Sequence, residues 1–595
     1  MYEYKCIVCY NTIMQLSAFE LGSGWILVPS NRIAMPEYTR RQNDLPVDVV
    51  IWLMYGDEGK GKIVDSLWWH GVRFNGGHNA GHTLVIDGIN FDLHIIPSSI
   101  VSRDKLAIIA RTCVVGLDLP KVRKDDESWT KFQVSSDGDI VCNHRLSDLQ
   151  VRQDDGSIMK VWVFPELEQL RSKGVNPDGR LFISESAPLI GVHHVLLDAL
   201  SEEVRDRLGA RKIGSTGSGI APAYGKTHSI IDQALEYAEW AREEYRELSE
   251  SLKRLTEIRE SITLWLALSS PDVYMAFVQA EWTIIVKYFP KISFDEIKRE
   301  QFRKIAELRK AKNEWKIIIW DEREKIKALI GRGERIIGEW AQSVLISEGQ
   351  SVYGTTSNPN IATFCEATGI TEDQIANVFG VMKLPPSSVG TRPIDFMKYP
   401  KSDLLDSLRN KYKEFGVSTW RPRDIVKISL IEIARAVDLL LAWTSQSESL
   451  RDKIVPVLNR VDGLIDFSGL TGGRIPVVTG YTHHVWEEAH VWLHPKNFDW
   501  QTEIEINPKN LLTHYPKRNI LGHPDMFSTS RESVIERVIG WDFSLDATRI
   551  GEGSHYIAQY VLAATFGKNN SREIIMWTGP RREDLVLARD IAPSR

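Results

Sequence analysis

A glycine-rich segment near the start of the chain combines the residue types that bind phosphate with two acids. It reads Gly56-Asp57-Glu58-Gly59-Lys60-Gly61-Lys62 and follows the apolar run 49–54. Glycines let backbone N–H groups approach phosphate oxygens, and lysine adds a positive charge. The spacing differs from G-x-x-x-x-G-K-[ST], and an acid beside phosphate is useful when it holds a cation or moves a proton. The segment therefore predicts phosphate binding combined with metal or proton chemistry.

Two further glycine-rich segments follow along the chain. The first reads Asn75-Gly76-Gly77-His78-Asn79-Ala80-Gly81-His82-Thr83, and the second spans 213–224. Histidine is the side chain that exchanges a proton most readily near neutral pH, although a lone turn histidine is more often structural. Flexible linkers are also rich in Gly and Ser. Here apolar residues bracket the glycines of 213–224, and this favours a packed loop over a tether.

The pair Asn459-x-x-Asp462 follows the apolar run 454–458 and suits recognition of a guanine base. A carboxylate accepts hydrogen bonds from the ring N1–H and from the exocyclic amine of guanine. By itself the pattern is common and usually marks a turn or a helix cap. The pattern is stronger evidence for guanine recognition in this chain, because it lies downstream of a predicted phosphate-binding segment.

These polar segments must be positioned by the short apolar runs that precede them. The predicted strands include 49–54, 343–346, 378–382, 454–458 and 574–576, besides shorter strand-like runs at 83–86, 91–96, 106–110, 157–163 and 180–184. Glycine-rich loops after such strands place polar groups at one edge of a mostly parallel sheet, where α/β proteins bind nucleotides. We predict an α/β fold with a mostly parallel central sheet, flanking helices and a nucleotide site like that of P-loop NTPases.

The chain divides into two parts, the second of which contains an insertion. Residues 1–45 lack sustained periodicity and form an N-terminal extension with no assigned function. Residues 46–595 form the functional domain. Within it, about 230–339 is charged and periodic, which predicts a long helical insertion with a solvated surface, including helices over 236–258 and 294–330.

Composition excludes several classes of protein. Hydrophobic residues make up 43% of the 595 residues and charged residues 26%, as in a soluble globular protein. The net charge of -6 argues against a nucleic-acid partner. Five scattered cysteines favour a reducing cytoplasm, and no apolar run approaches the ~18 residues of a membrane span.

The two N-terminal motifs, followed by Leu93-His94-Ile95-Ile96-Pro97-Ser98, closely resemble adenylosuccinate synthetases. Segments 213–224, 418–423 and 577–580 agree in the same order, so the resemblance covers roughly residues 46–595. It implies a ligase of AMP biosynthesis that joins L-aspartate to C6 of IMP with GTP hydrolysis, through a 6-phosphoryl intermediate. It also implies Mg²⁺ as cofactor and a cytoplasmic homodimer.

The resemblance assigns roles to individual residues. Asp57 would take the proton from N1 of the purine, and His82 would stabilise charge between the phosphates. Mg²⁺ would bind Asp57 and the carbonyl of Gly81. Nucleotide and phosphate contacts would come from Gly56, Glu58, Gly59, Lys60, Gly61, Lys62, Thr83, Arg460, Asp462, Gly579 and Pro580. The monophosphate would contact Asn79, Thr216 and Gln350, with Gln342 as a rival to Gln350, and aspartate would contact Ser418, Thr419, Arg421 and Arg423.

The chain departs from the family pattern mainly at the monophosphate contacts. Ser218 stands where the family usually has an arginine, Pro359 replaces a phosphate-binding threonine, and Trp420 replaces a glycine. These departures suggest unchanged phosphoryl chemistry with an altered acceptor. Two alternatives therefore stay open. One is a variant that uses dGMP or another purine monophosphate with ATP, against which the retained Asp57 argues. The other is a degenerate paralogue that binds nucleotide without turnover.

Overall fold

The computed structural model describes most of the chain between residues 44 and 482, together with five short strands outside that range. The described residues are 19–21, 25–29, 44–56, 58–59, 61–67, 69–78, 81–86, 88–117, 132–136, 140–146, 163–210, 213–215, 217–235, 243–259, 262–347, 356–388, 398–415, 422–442, 444–460, 463, 466–467, 469–471, 475–482, 533–539, 573–577 and 585–590.

Strands and helices alternate along much of the chain, as the sequence predicts. The strands are β1 (Phe19–Leu21), β2 (Trp25–Pro29), β3 (Val47–Trp52), β4 (His70–Arg73), β5 (His82–Ile86), β6 (Ile89–Leu93), β7 (Ala107–Ile109), β8 (Phe132–Val134), β9 (Ile140–Cys142), β10 (Leu181–Ser184), β11 (Ile318–Trp320), β12 (Ile336–Ser343), β13 (Ile375–Lys383), β14 (Ser387–Ser388), β15 (Asp424–Ile425), β16 (Ile428–Ser429), β17 (Ile454–Asn459), β18 (Ile475–Thr482), β19 (Ser533–Ile539), β20 (Glu573–Trp577) and β21 (Leu585–Asp590). The helices are α1 (Gly61–Leu67), α2 (Val163–Ser172), α3 (Val192–Arg207), α4 (Ile220–Ala223), α5 (Thr227–Leu235), α6 (Glu243–Arg259), α7 (Leu264–Ser269), α8 (Pro271–Ile285), α9 (Phe294–Asn313), α10 (Glu322–Gly331), α11 (Ile361–Thr368), α12 (Asp403–Tyr412), α13 (Leu430–Leu440) and α14 (Ser447–Asp452).

One 12-stranded sheet organises the molecule. Its strand order is β1-β2-β21-β20-β17-β13-β3-β12-β4-β7-β10-β11. All neighbours from β20 to β11 pair in parallel, whereas β1, β2, β21 and β20 pair antiparallel. The prediction of a mostly parallel sheet with flanking helices is confirmed. Two strands of the N-terminal extension, to which the sequence assigned no role, belong to this sheet.

Strand β3 lies near the middle of the sheet and is buried along its whole length. Val49 and Ile51 pack into one hydrophobic cluster, while Val50 and Trp52 pack into another that includes residues of α1. Successive side chains of a strand point to opposite faces, so this split means that both faces are covered. Such covering explains why the segment reads as a continuous apolar run rather than an alternating one.

The segment predicted as a long helical insertion is mostly helical but includes two strands. The predicted helix 294–330 is wrong as a single element, because α9 ends at Asn313 and β11 adds to the edge of the sheet before α10 begins. Residues 336–339 belong to β12, a central strand. The predicted strand 343–346 is also wrong, since β12 ends at Ser343 and Val344–Ile346 forms a 3-10 turn.

Among the described residues, no helix is both long enough and apolar enough to cross a bilayer.

Candidate functional site

Three glycine-rich segments meet near the carboxyl ends of the central strands, but the structure describes only part of the predicted site. The first segment follows β3, the second connects β4 to the start of β5, and the third contains α4. The backbone of Lys62 lies in α1, and that of Thr83 lies in β5. The following predicted site residues lie outside the described residues: Asp57, Lys60, Asn79, Thr216, Gln350, Ser418, Thr419, Arg421, Asp462, Gly579 and Pro580.

Glu58 braces the first glycine-rich segment from within. Its carboxylate accepts hydrogen bonds from the backbone N–H groups of Met54 at 3.2 Å, Tyr55 at 2.7 Å and Gly56 at 3.2 Å. Burial raises the pKa of Glu58 to about 7, although these three N–H groups and, more weakly, Lys383 lower it. The side chain therefore faces the backbone of its own segment, and its predicted contact with nucleotide stays a prediction.

Asn459 holds the same segment from the neighbouring part of the sheet. Its Nδ2 donates to the carbonyl oxygen of Glu58 at 2.8 Å. Gly59 has a φ of +86°, and a Cβ there would lie 1.9 Å from Asn459 Nδ2. Only glycine tolerates both the positive φ and this approach. The Asn459-x-x-Asp462 pattern thus includes a structural contact that the sequence analysis missed.

His82 faces a buried carboxylate that sequence reasoning also missed. It begins β5, and its Nε2 lies 3.4 Å from Oε1 of Glu339 on β12. Glu339 accepts hydrogen bonds from Ser98, with the backbone N–H at 2.8 Å from Oε2 and Oγ at 3.0 Å from Oε1. The sequence does contain a sign of this partner: Glu339 is an acid inside the mostly apolar run 336–341, where a charged residue usually needs a partner.

The hairpin of β5 and β6 explains why a later motif belongs to the same site. His82 pairs with Leu93 in this hairpin. The chain then continues through His94 to Ser98, which binds Glu339. The segment 93–98, singled out in the sequence, thus leads from the strand opposite His82 to the residue that holds its carboxylate partner.

The third glycine-rich segment is a packed loop, as the apolar residues on both sides of its glycines predict. Asp198 on α3 accepts hydrogen bonds from Ser215 Oγ at 2.6 Å and from the Gly219 N–H at 2.9 Å. At its end, the Tyr224 hydroxyl accepts from the Gly76 N–H at 2.8 Å. The same hydroxyl donates to the carbonyl of Thr112 at 2.7 Å. Tyr224 therefore joins the third segment to the second.

Arg423, predicted to bind aspartate, lies in a buried ion cluster that we call the Glu414 cluster (Lys383, Ser387, Glu414 and Arg423). Oε2 of Glu414 lies 2.8 Å from Lys383 Nζ, 2.9 Å from Ser387 Oγ and 3.2 Å from Arg423 Nη1. Burial alone would raise the pKa of Glu414, but the charges of Lys383 and Arg423 outweigh burial and hold this pKa at about 2. Part of the Arg423 guanidinium is thus already engaged by protein.

Arg460, predicted to contact nucleotide, turns its side chain toward Tyr412. Its Nη2 donates to the Tyr412 carbonyl at 2.7 Å, and its guanidinium carbon lies 5.0 Å from the centre of the Tyr412 ring. Arg460 also has a φ of 64°, an uncommon value for a residue with a side chain. The structure therefore gives Arg460 a packing role, and a contact with nucleotide stays a prediction.

Gln342, the rival to Gln350, lies on β12 between a residue that contacts the second glycine-rich segment and a residue that contacts the end of the apolar run before the first segment. The N–H of Ala341 donates to Asn75 Oδ1 at 2.9 Å. Ser343 Oγ donates to the carbonyl of Met54 at 2.6 Å. Gln342 is buried at this position.

A second polar cluster joins α3 to α8, away from the glycine-rich segments in sequence. The Nε2 atoms of His193 and His194 lie 2.7 Å and 3.2 Å from Oε2 of Glu281. The Gly191 N–H donates to Nδ1 of His194 at 2.9 Å, so a neutral His194 carries its proton on Nε2 and directs it at Glu281. A metal ion would need that nitrogen without its proton. This cluster is accordingly explained by hydrogen bonding alone.

Comparison with known proteins agrees with the motifs and with the fold. A family model described as adenylosuccinate synthetase matches residues 49–142 and 155–439. The adenylosuccinate synthetase of Proteus mirabilis is 28% identical over 434 residues, covering 72% of this chain and 80% of the relative. That of Psychromonas ingrahamii is 30% identical over 440 residues, with the same two coverages. The fully ligated adenylosuccinate synthetase from Plasmodium falciparum aligns with a TM-score of 0.57 at 18% identity, over 91% of this chain and 99% of that one, and shares the fold. The chain belongs to the adenylosuccinate synthetase family.

Proposed function

We propose that this chain is a ligase that joins L-aspartate to C6 of a purine nucleoside monophosphate, IMP, with GTP as the phosphoryl donor. The products are adenylosuccinate, GDP and phosphate. The observation that carries the proposal is the pairing of His82 with buried Glu339 beside a glycine-rich segment held by Glu58 and Asn459. In a chain of this family, that arrangement supports phosphoryl transfer to a purine oxygen.

The first step transfers the γ-phosphoryl group to O6 of IMP. Asp57 takes the proton from N1, and the electrons released make O6 the nucleophile that attacks phosphorus. His82 donates a hydrogen bond to the oxygen that leaves with GDP, where negative charge develops. The neighbours of Asp57 are held on both sides, because Gly56 donates its N–H to Glu58 and the Glu58 carbonyl accepts from Asn459.

The second step forms the new C–N bond. The amino group of aspartate attacks C6 and displaces the phosphate group, which leaves with O6. Arg421 binds a carboxylate of aspartate as a planar fork, assisted by the hydroxyls of Ser418 and Thr419. Arg423 acts from within the Glu414 cluster, so we assign it a supporting role at this end of the site.

Magnesium fits the oxygen donors proposed for it. Asp57 and the carbonyl of Gly81 would hold Mg²⁺, because a carboxylate and a carbonyl are hard oxygen ligands of the kind that this ion prefers. Gly81 directly precedes His82, so its carbonyl lies next to the proposed catalytic histidine in the chain. When bound, Mg²⁺ neutralises phosphate charge.

The remaining contacts complete the binding of the two nucleotides. We assign Lys60 and the glycine-rich backbone to the phosphates, and Asp462, Gly579 and Pro580 to the guanine. Asn79 and Thr216 contact the monophosphate. We assign the glutamine of this pocket to Gln342. Its neighbour Ala341 binds Asn75 of the second segment, and its neighbour Ser343 binds Met54, two residues before the first segment. By the family resemblance the active form is a cytoplasmic homodimer.

The proposal is tested by assaying the purified full chain with Mg²⁺ and every combination of IMP or dGMP, GTP or ATP, with and without aspartate. Phosphate and the succinyl product are measured together. Phosphate release that requires IMP, GTP and aspartate supports the proposal. Release with dGMP and ATP identifies the altered-acceptor variant. Nucleotide binding without turnover in any combination contradicts the ligase assignment.

A further inference from the structure

We propose that Glu281 of the helical insertion is a positioning residue for the part of the site that binds the monophosphate. It acts through His194 on α3, a residue that the third glycine-rich segment contacts directly. The inference rests on the proposed function, because Thr216 of that segment is assigned there to the monophosphate. It gives the helical insertion a role in substrate binding.

One face of α3 holds the third glycine-rich segment. Asp198 accepts hydrogen bonds from two residues of the segment, at 2.6 Å and 2.9 Å. Glu202, four residues further along α3, accepts from the N–H of Gly214 at 3.1 Å. Residues four apart lie on the same face of a helix, and His194 lies four residues before Asp198. His194 therefore belongs to the face of α3 that holds the segment.

The segment also lies directly against the backbone of α3 at Gly219. A Cβ at this position would lie 2.9 Å from both the carbonyl carbon of His194 and the nitrogen of Val195, and 3.0 Å from the Cβ of His194. Gly219 has a φ of +69°, so glycine suits both the conformation and the close approach. Because such a contact leaves no free space, a movement of α3 at His194 must displace the segment.

Glu281 fixes His194 to the helical insertion. Its Oε2 lies 3.2 Å from Nε2 of His194 and 2.7 Å from Nε2 of His193, and all three residues are buried. Nδ1 of His194 accepts from the N–H of Gly191 at 2.9 Å. Both nitrogens of the His194 ring are thus engaged, and this fixes its orientation. Helix α8 therefore helps to determine where the first turn of α3 lies.

These contacts lead from Glu281 through His194 to Gly219. Gly219 lies three residues after Thr216 in the chain. We expect their loss to weaken binding of the monophosphate, because a substrate contact that is equally strong in the ground state and in the transition state changes KM and not kcat. A purely structural role would instead reduce the fraction of folded enzyme, which lowers the apparent kcat and leaves KM unchanged.

The test compares Glu281→Leu and Glu281→Gln with the wild-type full chain in steady-state assays with IMP, GTP and aspartate. Leucine fills the space of the side chain but accepts no hydrogen bond from the two histidines, whereas glutamine keeps an acceptor oxygen. We expect Glu281→Leu to raise KM for IMP about tenfold, with kcat and KM for GTP within about twofold of the wild type. Glu281→Gln should restore KM for IMP to within about threefold of the wild type.

Tyr288→Phe is the matched control. Tyr288 is buried in the same insertion, and its hydroxyl donates to Oε1 of Glu244 on α6 at 3.1 Å. The variant therefore also loses a buried hydrogen bond of the insertion. We expect it to keep the wild-type KM for IMP. A rise in KM equal to that of Glu281→Leu would attribute the effect to a general loosening of the insertion and overturn the inference.

Hydrogen exchange of the protein without substrates separates this inference from the proposed function, because it needs no turnover. In Glu281→Leu the amides of 213–224 should exchange about tenfold faster than in the wild type, while those of 49–54 keep their rate. If the wild type has no turnover, the proposed function fails, and this faster exchange would still support the coupling of Glu281 to the segment. Unchanged exchange in 213–224 would then overturn it.

In an active enzyme the kinetic result decides. A wild-type KM for IMP in folded Glu281→Leu overturns the inference. Should Glu281→Leu fail to fold, Glu281→Asp takes its place, because it draws the carboxylate back from the histidines by one methylene group. We expect a smaller rise in KM for IMP in this variant, and a wild-type KM would overturn the inference in the same way.

Discussion

Two buried carboxylates stabilise the two sides of the candidate site in opposite ways. Glu58, in the first glycine-rich segment, accepts three uncharged backbone N–H groups, and burial raises its pKa to about 7. Glu414 is similarly buried, but Lys383 and Arg423 face it at 2.8 Å and 3.2 Å, and its pKa is held at about 2. The charge of the donors, and not the degree of burial, decides whether the carboxylate keeps its proton.

The first glycine-rich segment is the region that we propose performs the chemistry, whereas the Glu414 cluster has a structural role. The first segment contains the proposed base, Asp57, and the carboxylate of Glu58, whose pKa lies near neutral pH. The Glu414 cluster is a permanent group of charges that occupies Lys383 and part of Arg423. Lys383 links the two regions, since it lies at the end of β13, opposite Asn459 of β17 in the register of the sheet.

Asp57→Asn tests whether the chemistry belongs to the first region. Asparagine keeps the shape of the side chain but cannot take the proton from N1. We expect turnover to fall roughly a thousandfold or more. The urea midpoint of unfolding should match that of the wild type, because no charge of the Glu414 cluster changes. Turnover close to the wild-type rate would exclude Asp57 as the base.

Glu414→Gln tests the structural role of the second region. The substitution leaves Lys383 and Arg423 buried without their carboxylate, and we expect the free energy of unfolding to fall by about 3 kcal/mol. Urea denaturation at pH 7 measures the loss. Glu307→Gln is the control, because Glu307 pairs with Arg303 on the surface of α9. Such an exposed pair contributes less than about 1 kcal/mol. Equal losses in the two variants would contradict the distinction.

The dependence of stability on pH should differ in sign between the two carboxylates. The pKa of folded Glu414, about 2, lies below the ordinary glutamate value of 4.5, so its contribution to stability is present above pH 4.5 and is lost as pH falls toward 2. The pKa of folded Glu58, about 7, lies above 4.5, so stability decreases as pH rises from 4.5 to 7. Each effect amounts to about 3 kcal/mol at most.

Unfolding free energies of the wild type, Glu58→Gln and Glu414→Gln between pH 3 and 8 measure both effects. The difference between the wild type and Glu414→Gln should shrink below pH 4.5. The difference between the wild type and Glu58→Gln should change between pH 4.5 and 7 and then level off. Parallel curves for the two variants would show that the two carboxylates titrate alike.

Gly59→Ala should produce the smallest effect, and Gly88→Ala is its matched control. Both glycines have a positive φ, +86° and +76°, but the space beside Gly88 is open, whereas a Cβ at Gly59 would meet Asn459. The positive φ costs about 1 kcal/mol in each case. We expect Gly59→Ala to lose about 1 kcal/mol more, because Asn459 must release the Glu58 carbonyl. Thermal unfolding of the two variants side by side checks the difference.

Sequence reasoning identified the groups that act locally and missed their distant partners. Glycines, acids and a lysine within one short segment predict a phosphate loop, and the apolar runs predict the parallel sheet. Glu339 and Asn459 contact the site from 241 and 401 residues away, at Ser98 and Glu58. Those contacts depend on β12 and β17 lying close to β3 in the sheet, and a single sequence does not encode strand order in any local pattern.

The incorrect predictions of secondary structure have a similar physical origin. Ile318–Trp320 is too short for its periodicity to distinguish strand from helix, so the sequence pattern predicts one continuous helix through it. It becomes a strand because β10 offers an edge for pairing. Likewise, the charged helical pattern predicts that the insertion extends through residues 336 to 339. In the structure these residues pair with β3 and β4 and form part of a central strand of the sheet.

The central claim is that O6 of the purine attacks the γ-phosphate before aspartate arrives at C6. Turnover of IMP labelled with ¹⁸O at O6, in the presence of GTP and aspartate, tests it directly, because the C6–O6 bond breaks in the second step. Mass spectrometry should find one ¹⁸O in the released phosphate for each succinyl product formed. Unlabelled phosphate accompanying the succinyl product would contradict the account.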